Sequence, residues 1–423
     1  MKRLALLVVP LIAALAASAA DPLPRAAPEE VGMSSQRLAR VGTAIRADVE
    51  AGRTPGAVVA IARRGKLVYY EAFGYLDKER GVAMPLDAIF APASMEKPMV
   101  AVAALQLLEE GRLLMADPVE KYLPQLAGMK VAVWSRDASG KTVMATEPQR
   151  RKMTVHDLLR HTAGLTYGRR GETQLHKLYP VSSNWAAENL TAAQFLERIG
   201  RLALHYQPGS KWDYSFSFDV MGLVIEAITH QPLGQFLHER LFVPLGMVDT
   251  AFAIAPEKAD RYAHPLPRNP ETGEAQRIRD VRKPGKFDCG GGCASYTAAD
   301  YLRFAQMLLN KGALEGTRVL SRKSVEYMTS DQLGPAVDVQ ELREFPNIDG
   351  YGFGLGVAVR RGFGVSDFLG SPGDYHWSGA NGTYFCVDPR EELVIVYMGH
   401  TPGAARFRYR QLINVLAYQA IDD

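Results

Sequence analysis

Ser94-Met95-Glu96-Lys97 sets a hydroxyl three residues ahead of an amine. A serine hydroxyl is a weak nucleophile at neutral pH and becomes useful only with a base beside it. If a helix starts near Ser94, Lys97 lies one turn away on the same face and reaches that hydroxyl. The N-terminus of such a helix offers free N–H groups and positive potential. Both suit a developing oxyanion and favour the neutral amine that base chemistry requires. Pro98 fits a first helical turn, where its missing N–H costs little. The competing reading is an N-cap serine followed by a solvated lysine.

Two other segments carry groups that suit the same chemistry. Pro208-Gly209-Ser210-Lys211-Trp212-Asp213-Tyr214-Ser215 reads as a turn into a helix, and Tyr214 is a phenol able to relay a proton. Its plain alternative is a buried tyrosine with one hydrogen bond. His376-Trp377-Ser378-Gly379-Ala380-Asn381-Gly382 precedes a strand. Glycines there let backbone approach a substrate, and the Ala380 N–H can join that of Ser94 as an oxyanion hole. Its plain alternative is a loop entering a strand.

These segments must be positioned by the elements around them. Ser35 to Ala51 has amphipathic helical spacing. Ala57 to Ala62 and Lys66 to Ala72 form a hairpin pattern around Arg64-Gly65. Val100 to Glu110 is a strong helix pattern stopped by Gly111. Helical patterns then dominate to about residue 290, including Thr154 to His161, Thr191 to Leu202, Phe218 to Thr229 and Leu233 to Leu241. Val131 to Thr146 interrupts them as a hairpin candidate, and the Pro- and Arg-rich stretch from Pro265 to Gly285 reads as a surface loop. Thr297 to Leu309 is helical, Thr383 to Val387 and Leu393 to Met398 are strands, and Phe407 to Ile421 is a closing helix. With β-patterns at both chain ends and helices between, the expected fold is α+β: one antiparallel sheet built from both ends, flanked by helices, with an inserted mainly helical subdomain.

The first residues read as an export signal. Lys2-Arg3 is a positive start, Leu4 to Ala16 an apolar run, and Ala17-Ser18-Ala19 a small-residue cleavage site. The run is short for a spanning helix. We therefore expect a signal peptide over 1–19 and a secreted or periplasmic protein without stable membrane insertion. The net charge is +3, and no Lys/Arg run stands out, so nothing directs the chain to nucleic acid. Three cysteines remain, and Cys289-Gly290-Gly291-Gly292-Cys293 could close a disulfide or simply line a glycine turn. His156 and His161 lie five apart, not the three or four of one helix face, so no metal site is expected.

Taken in order, the motifs resemble the serine β-lactamase-like superfamily, which holds class C β-lactamases, D-alanyl-D-alanine carboxypeptidases and family VIII esterases. The similarity runs from about 34 to 420. It includes Ser94-Met95-Glu96-Lys97-Pro98, Leu158-Leu159-Arg160-His161-Thr162-Ala163-Gly164-Leu165, Tyr214-Ser215, Gly290 to Gly292 and Gly382-Thr383. The resemblance implies an α/β part over about 34–114 and 290–420, and a mainly helical part over about 115–289. It implies that Ser94 attacks an acyl carbonyl, that Lys97 and Tyr214 handle the proton, and that the N–H groups of Ser94 and Ala380 hold the oxyanion. It implies no metal or organic cofactor.

Two departures separate the relatives. Where β-lactamases and carboxypeptidases carry Tyr-x-Asn, this chain has Phe216 in the third place. Where they carry Lys-Thr-Gly or His-Thr-Gly, it has Trp377-Ser378-Gly379. A lost cation weakens the grip on a substrate carboxylate, and an aromatic wall suits an apolar acyl ester. The expected substrate is thus a small ester with a short acyl or aryl group, lying against Phe216, Trp377, Ser378 and Gly379. His376 is a further substrate-binding candidate, supplying charge in another register. Ser182-Ser183-Asn184 could be a displaced polar motif, although its position fits a loop. The alternatives are a β-lactamase or carboxypeptidase-like penicillin-binding enzyme, and a non-catalytic envelope binding protein. The oligomeric state is not legible.

Overall fold

The computed structural model describes residues 21–423, so the signal reading over 1–19 lies outside the described residues. The N-terminal part holds helix α1 (Ser35–Glu50), strands β1 (Gly56–Arg63), β2 (Lys66–Asp77) and β3 (Val82–Ala83), and helix α2 (Lys97–Glu109). The middle holds the hairpin β4 (Val131–Arg136) and β5 (Thr142–Glu147). It continues with α3 (Val155–Leu159), α4 (Gln174–Leu178), α5 (Ser183–Asn189), α6 (Ala192–Gly200), α7 (Ser217–Thr229) and α8 (Leu233–Leu237). The C-terminal part holds α9 (Ala298–Leu309), the short pair β6 (Ala313–Leu314) and β7 (Thr317–Arg318), α10 (Arg322–Met328) and α11 (Gln340–Arg343). Strands β8 (Tyr351–Phe353), β9 (Ala358–Arg360), β10 (Tyr375–Ser378), β11 (Tyr384–Asp388) and β12 (Leu393–Gly399) follow, and α12 (Ala405–Tyr418) closes the chain.

Eight strands form one antiparallel sheet in the order β3-β2-β1-β12-β11-β10-β9-β8. The join between the two chain ends is β1 against β12, with Val58 opposite Met398 and Ile61 opposite Ile395. Period-two alternation explains how both faces are used. Val58, Ala60, Val394 and Val396 enter the main core, which α2 and α9 share. Ala57, Val59, Ile61, Ile395 and Tyr397 enter a second core beneath α1 and α12, with Leu38, Val41, Ile45, Tyr409 and Ile413. All eight residues of β1 are buried, as expected of a strand covered on both faces. The fold is α+β, an antiparallel sheet flanked by helices.

Helix α2 is apolar all round, and every residue from Lys97 to Leu107 is buried. A helix of that kind belongs in a core. It therefore carries its first turn, and Lys97 with it, away from water.

The segment after α3 is fixed from one carboxylate. Asp157 is fully buried and accepts hydrogen bonds from the Thr154 N–H at 3.0 Å, the Thr162 hydroxyl at 2.8 Å and Arg151 at 2.8 Å. Thr154 and Asp157 complete a reciprocal cap on α3. Burial opposes ionisation of Asp157, yet Arg151 and Thr154 hold its carboxyl down at about 2 against an ordinary 3.8. That group stabilises the fold above its ordinary value, and the contribution is lost as pH falls from there towards 2. We predict that Asp157→Ala costs about 3 kcal/mol near neutral pH. Urea unfolding should show the deficit shrinking as pH falls from 4 towards 2. A pH-independent deficit would refute the electrostatic part of this account.

Candidate active site

Ala93 to Glu96 form a 3-10 turn that runs directly into α2. Ala93 has φ 57°, a strained value for alanine that turns the chain sharply before Ser94. Lys97 Nζ donates to Ser94 Oγ at 3.2 Å and to the Gly291 carbonyl at 2.6 Å. Lys97 is fully buried, while Ser94 stays half-buried at the floor of a cleft. The spacing in the sequence and the distance in the fold agree, and the lysine is not solvated.

Tyr214 presents its ring rather than its hydroxyl to the lysine. Nζ lies 4.7 Å from the ring centroid, a cation–π contact. The Tyr214 hydroxyl accepts from Trp377 Nε1 at 3.4 Å. Below Tyr214 sits His161, its ring centroid 4.6 Å away. His161 is fully buried, and burial first, then Lys97, pushes its pKa well below the ordinary value. It is a neutral packing residue.

The glycine run brings its backbone where no side chain fits. A Cβ on Gly291 would stand 2.2 Å from Ser183 Oγ and 2.5 Å from Asp219 Oδ2. On Gly292 it would stand 2.6 Å from the Ala93 carbonyl carbon. Cys289 and Cys293 close this loop as a disulfide with Cα atoms 5.5 Å apart, so the bonded alternative holds.

Two buried carboxyls that the sequence did not single out grip the same loop. Asp219 accepts from the Gly291 N–H at 3.2 Å and from Ser183 Oγ at 2.8 Å. Burial raises its carboxyl to about 6, with the Lys97 ammonium pulling the other way. Glu96 Oε2 accepts from the N–H groups of Cys293 and Ala294 at 2.6 and 2.7 Å. Burial raises Glu96 to about 8 despite those two bonds.

Ala380 lines the cleft with Ser94. Its segment is stitched to the residues just before the serine. Thr383 Oγ1 donates to the Pro92 carbonyl at 3.0 Å, and Asn381 Nδ2 to the Ala91 carbonyl at 2.5 Å. A Cβ on Gly379 would stand 1.7 Å from the Pro92 oxygen, so only glycine allows this approach. Arg410 donates to the Gly379 carbonyl at 2.8 Å.

The cleft has two arms that meet at Ser94 and Ala380. One, of about 280 Å³, is lined by Tyr167, Ser182, Ser183, Asn184 and Trp185. The other, of about 460 Å³, is lined by Tyr214, Phe345, Trp377, Ser378, Arg406 and Arg410. Trp377 and Ser378 thus lie where the sequence expected them. Ser182-Ser183-Asn184 is the capped start of α5 rather than a loop, and it lines the cleft.

Two expectations need correction. Phe216 is fully buried against Tyr167 and Phe195, with centroids 4.4 and 5.3 Å away, and does not line the cleft. It packs behind the wall that Tyr167 presents. His376 is next to Trp377 on β10, and alternation turns it to the opposite face of the sheet. There it lies against Tyr351, Phe368 and Tyr384. Burial lowers its pKa to about 3, so it supplies no charge at neutral pH.

Glu96 yields a pH prediction. A carboxyl raised by folding keeps its proton while the unfolded chain loses it. Stability is therefore intact below about 4.5 and falls as pH rises from there to about 8. Glu96→Gln keeps an acceptor for both N–H groups and cannot ionise. Melting temperatures at pH 5 and pH 8 should fall more for the unaltered chain than for this variant. An equal fall in both would refute a neutral Glu96.

Protein Rv1367c of Mycobacterium tuberculosis is 37% identical over 367 residues, covering 84% of this chain and 88% of the relative. Esterase EstB of Burkholderia gladioli is 29% identical over 372 residues, covering 82% and 86%. A solved structure of EstCE1, a hydrolase with promiscuous acyltransferase activity, superposes with a TM-score of 0.72 at 25% identity, covering 90% of this chain and 99% of that one. The beta-lactamase family profile matches residues 41–419, and the chain belongs to that family.

Proposed function

We propose that this protein is an exported serine carboxylesterase that cleaves short acyl or aryl esters through an acyl-enzyme on Ser94. The observation that carries the proposal is the 3.2 Å contact between Lys97 Nζ and Ser94 Oγ at the meeting point of two cleft arms. Two arms suit the two halves of an ester. In the forward step Ser94 Oγ attacks the carbonyl carbon and Lys97 takes the hydroxyl proton. The N–H groups of Ser94 and Ala380 stabilise the oxyanion. The ester C–O bond breaks, and the proton returns to the departing alcohol through Lys97 with Tyr214 beside it. Water then attacks the acyl-enzyme by the same route reversed, giving the acid and free Ser94.

The aromatic wall of Trp377 and Phe345, stacked at 5.7 Å, supports an acyl or aryl group against it. The similarity to EstB, an esterase, and to EstCE1, a hydrolase, supports the same class. Export is supported by the pattern of Lys2-Arg3, Leu4 to Ala16 and Ala17-Ser18-Ala19, and by the bonded Cys289 and Cys293. The N-terminal sequence of protein recovered outside the cytoplasm tests it. Chain starting at Met1 would count against cleavage.

Turnover of 4-nitrophenyl butyrate should exceed that of a chromogenic cephalosporin. Dominant cephalosporin turnover would favour a β-lactamase instead. A fluorophosphonate should label the unaltered protein and not Ser94→Ala, whose kcat should fall by about 10³-fold or more. Tyr214→Phe should lose about 10²-fold if its hydroxyl moves a proton. Absence of label on the unaltered chain would favour a non-catalytic binding protein.

A further inference from the structure

The larger arm of the cleft is lined by arginines from three separate stretches of sequence. Arg169 comes from the turn Gly168–Arg170, Arg277 from the long surface loop, and Arg406 and Arg410 from α12. Arg406 and Arg410 lie four residues apart, so they share one helix face. Among the described residues, no aspartate or glutamate lines this arm.

Two of the arginines that line the cleft have carboxylate partners. Arg170 pairs with Glu341 at 3.1 Å, and Arg277 with Glu188 at 3.4 Å. On the outer face of α12, Arg408 pairs with Asp48. Among the described residues, Arg169, Arg406 and Arg410 make no such ion pair. Arg406 donates only to the Gly403 carbonyl at 2.6 Å. Arg410 is 4% exposed, donates to the Gly379 carbonyl, and leaves its Nε without a partner. Burial first, then the neighbouring Arg406, lowers Arg410 to about 9. Burial and Arg169 lower Arg406 in the same direction. Like charges gathered in a half-dry cleft are costly unless an anion joins them.

We propose that this arm binds an anionic oxo group of the substrate, a carboxylate or phosphate, held by Arg406, Arg410 and Arg169 while the ester carbonyl lies at Ser94. Guanidinium forks match both groups in geometry. The cation missing at Trp377-Ser378-Gly379 is thus replaced from α12 and from the turn at Gly168–Arg170. The proposal rests on the Ser94 reading and narrows its substrates to anionic esters.

The experiment uses the full chain and three esters. Neutral 4-nitrophenyl butyrate is compared with 4-nitrophenyl hydrogen glutarate, which carries a carboxylate on the acyl side. The third ester, 4-(butyryloxy)phenyl phosphate, carries a phosphate on the leaving group. Values of kcat/KM are taken per fluorophosphonate-titrated site. We expect one anionic ester to exceed the neutral one about ten-fold at low salt, with the advantage shrinking at high salt. A glutarate advantage assigns a carboxylate, and a phosphate advantage assigns a phosphate. Arg406→Gln and Arg169→Gln should each lower the anionic-to-neutral ratio several-fold. A ratio of one or less in the unaltered chain, or a ratio unchanged in both variants, overturns the proposal. Calorimetry of free glutarate and inorganic phosphate on the unaltered chain reads the site without turnover or variants. Absent label with intact anion binding overturns the Ser94 reading alone. Intact label with neither preference nor binding overturns the anion site alone.

Discussion

The buried amine of Lys97 is the constraint on which the rest of the site depends. A polar amine taken from water needs partners close at hand. Here it finds the Gly291 carbonyl at 2.6 Å, the Ser94 hydroxyl at 3.2 Å and the face of Tyr214. Each partner is held in turn by something rigid. The Gly291 backbone is gripped by Asp219 and closed by the Cys289–Cys293 bond. The next turn of that loop is gripped by Glu96, which lies between Ser94 and Lys97 in sequence. The loop can approach only because residues 290 to 292 carry no side chains.

The sheet explains why these pieces stay in register. Strand β10 ends beside the turn that holds Ser94, and Thr383 and Asn381 tie its continuation to Pro92 and Ala91. The serine and Ala380 are therefore fixed relative to each other by two short bonds and one glycine contact. The buried helix α2 fixes the lysine from the opposite side. Flexibility in either would misplace reacting groups at a scale that catalysis does not tolerate.

Membership of the beta-lactamase family sets the background against which the departures matter. The polar group expected from the Tyr-x-Asn position is absent because Phe216 packs into the core. Asn184 and Ser183 face the cleft instead, from the start of α5. No cation stands at Trp377 on β10, and arginines from α12 and from the turn before α4 line the larger arm. The polar groups that line the cleft come from other elements while the hydroxyl–amine pair stays in place.

The sequence by itself determined the meeting of Ser94 and Lys97, because a three-residue spacing at a helix start sets their distance locally. It also marked four of the eight sheet strands, β1, β2, β11 and β12, and most helices, because alternation and 3.6-residue spacing record which face is buried. The hairpin at β4 and β5 and the helix α7 were legible for that reason. Only the tertiary structure decided what surrounds Ser94. Glu96 and Asp219 gained their roles from a loop 72 to 198 residues away in sequence. His376 and Phe216 misled because adjacency along the chain says nothing about depth, and strand alternation turned His376 to the far face. The arginines of the larger arm are scattered from 169 to 410, and no local pattern marks them. Charge carries far through space but leaves no trace along a chain, so their meeting in one cleft is a property of the fold.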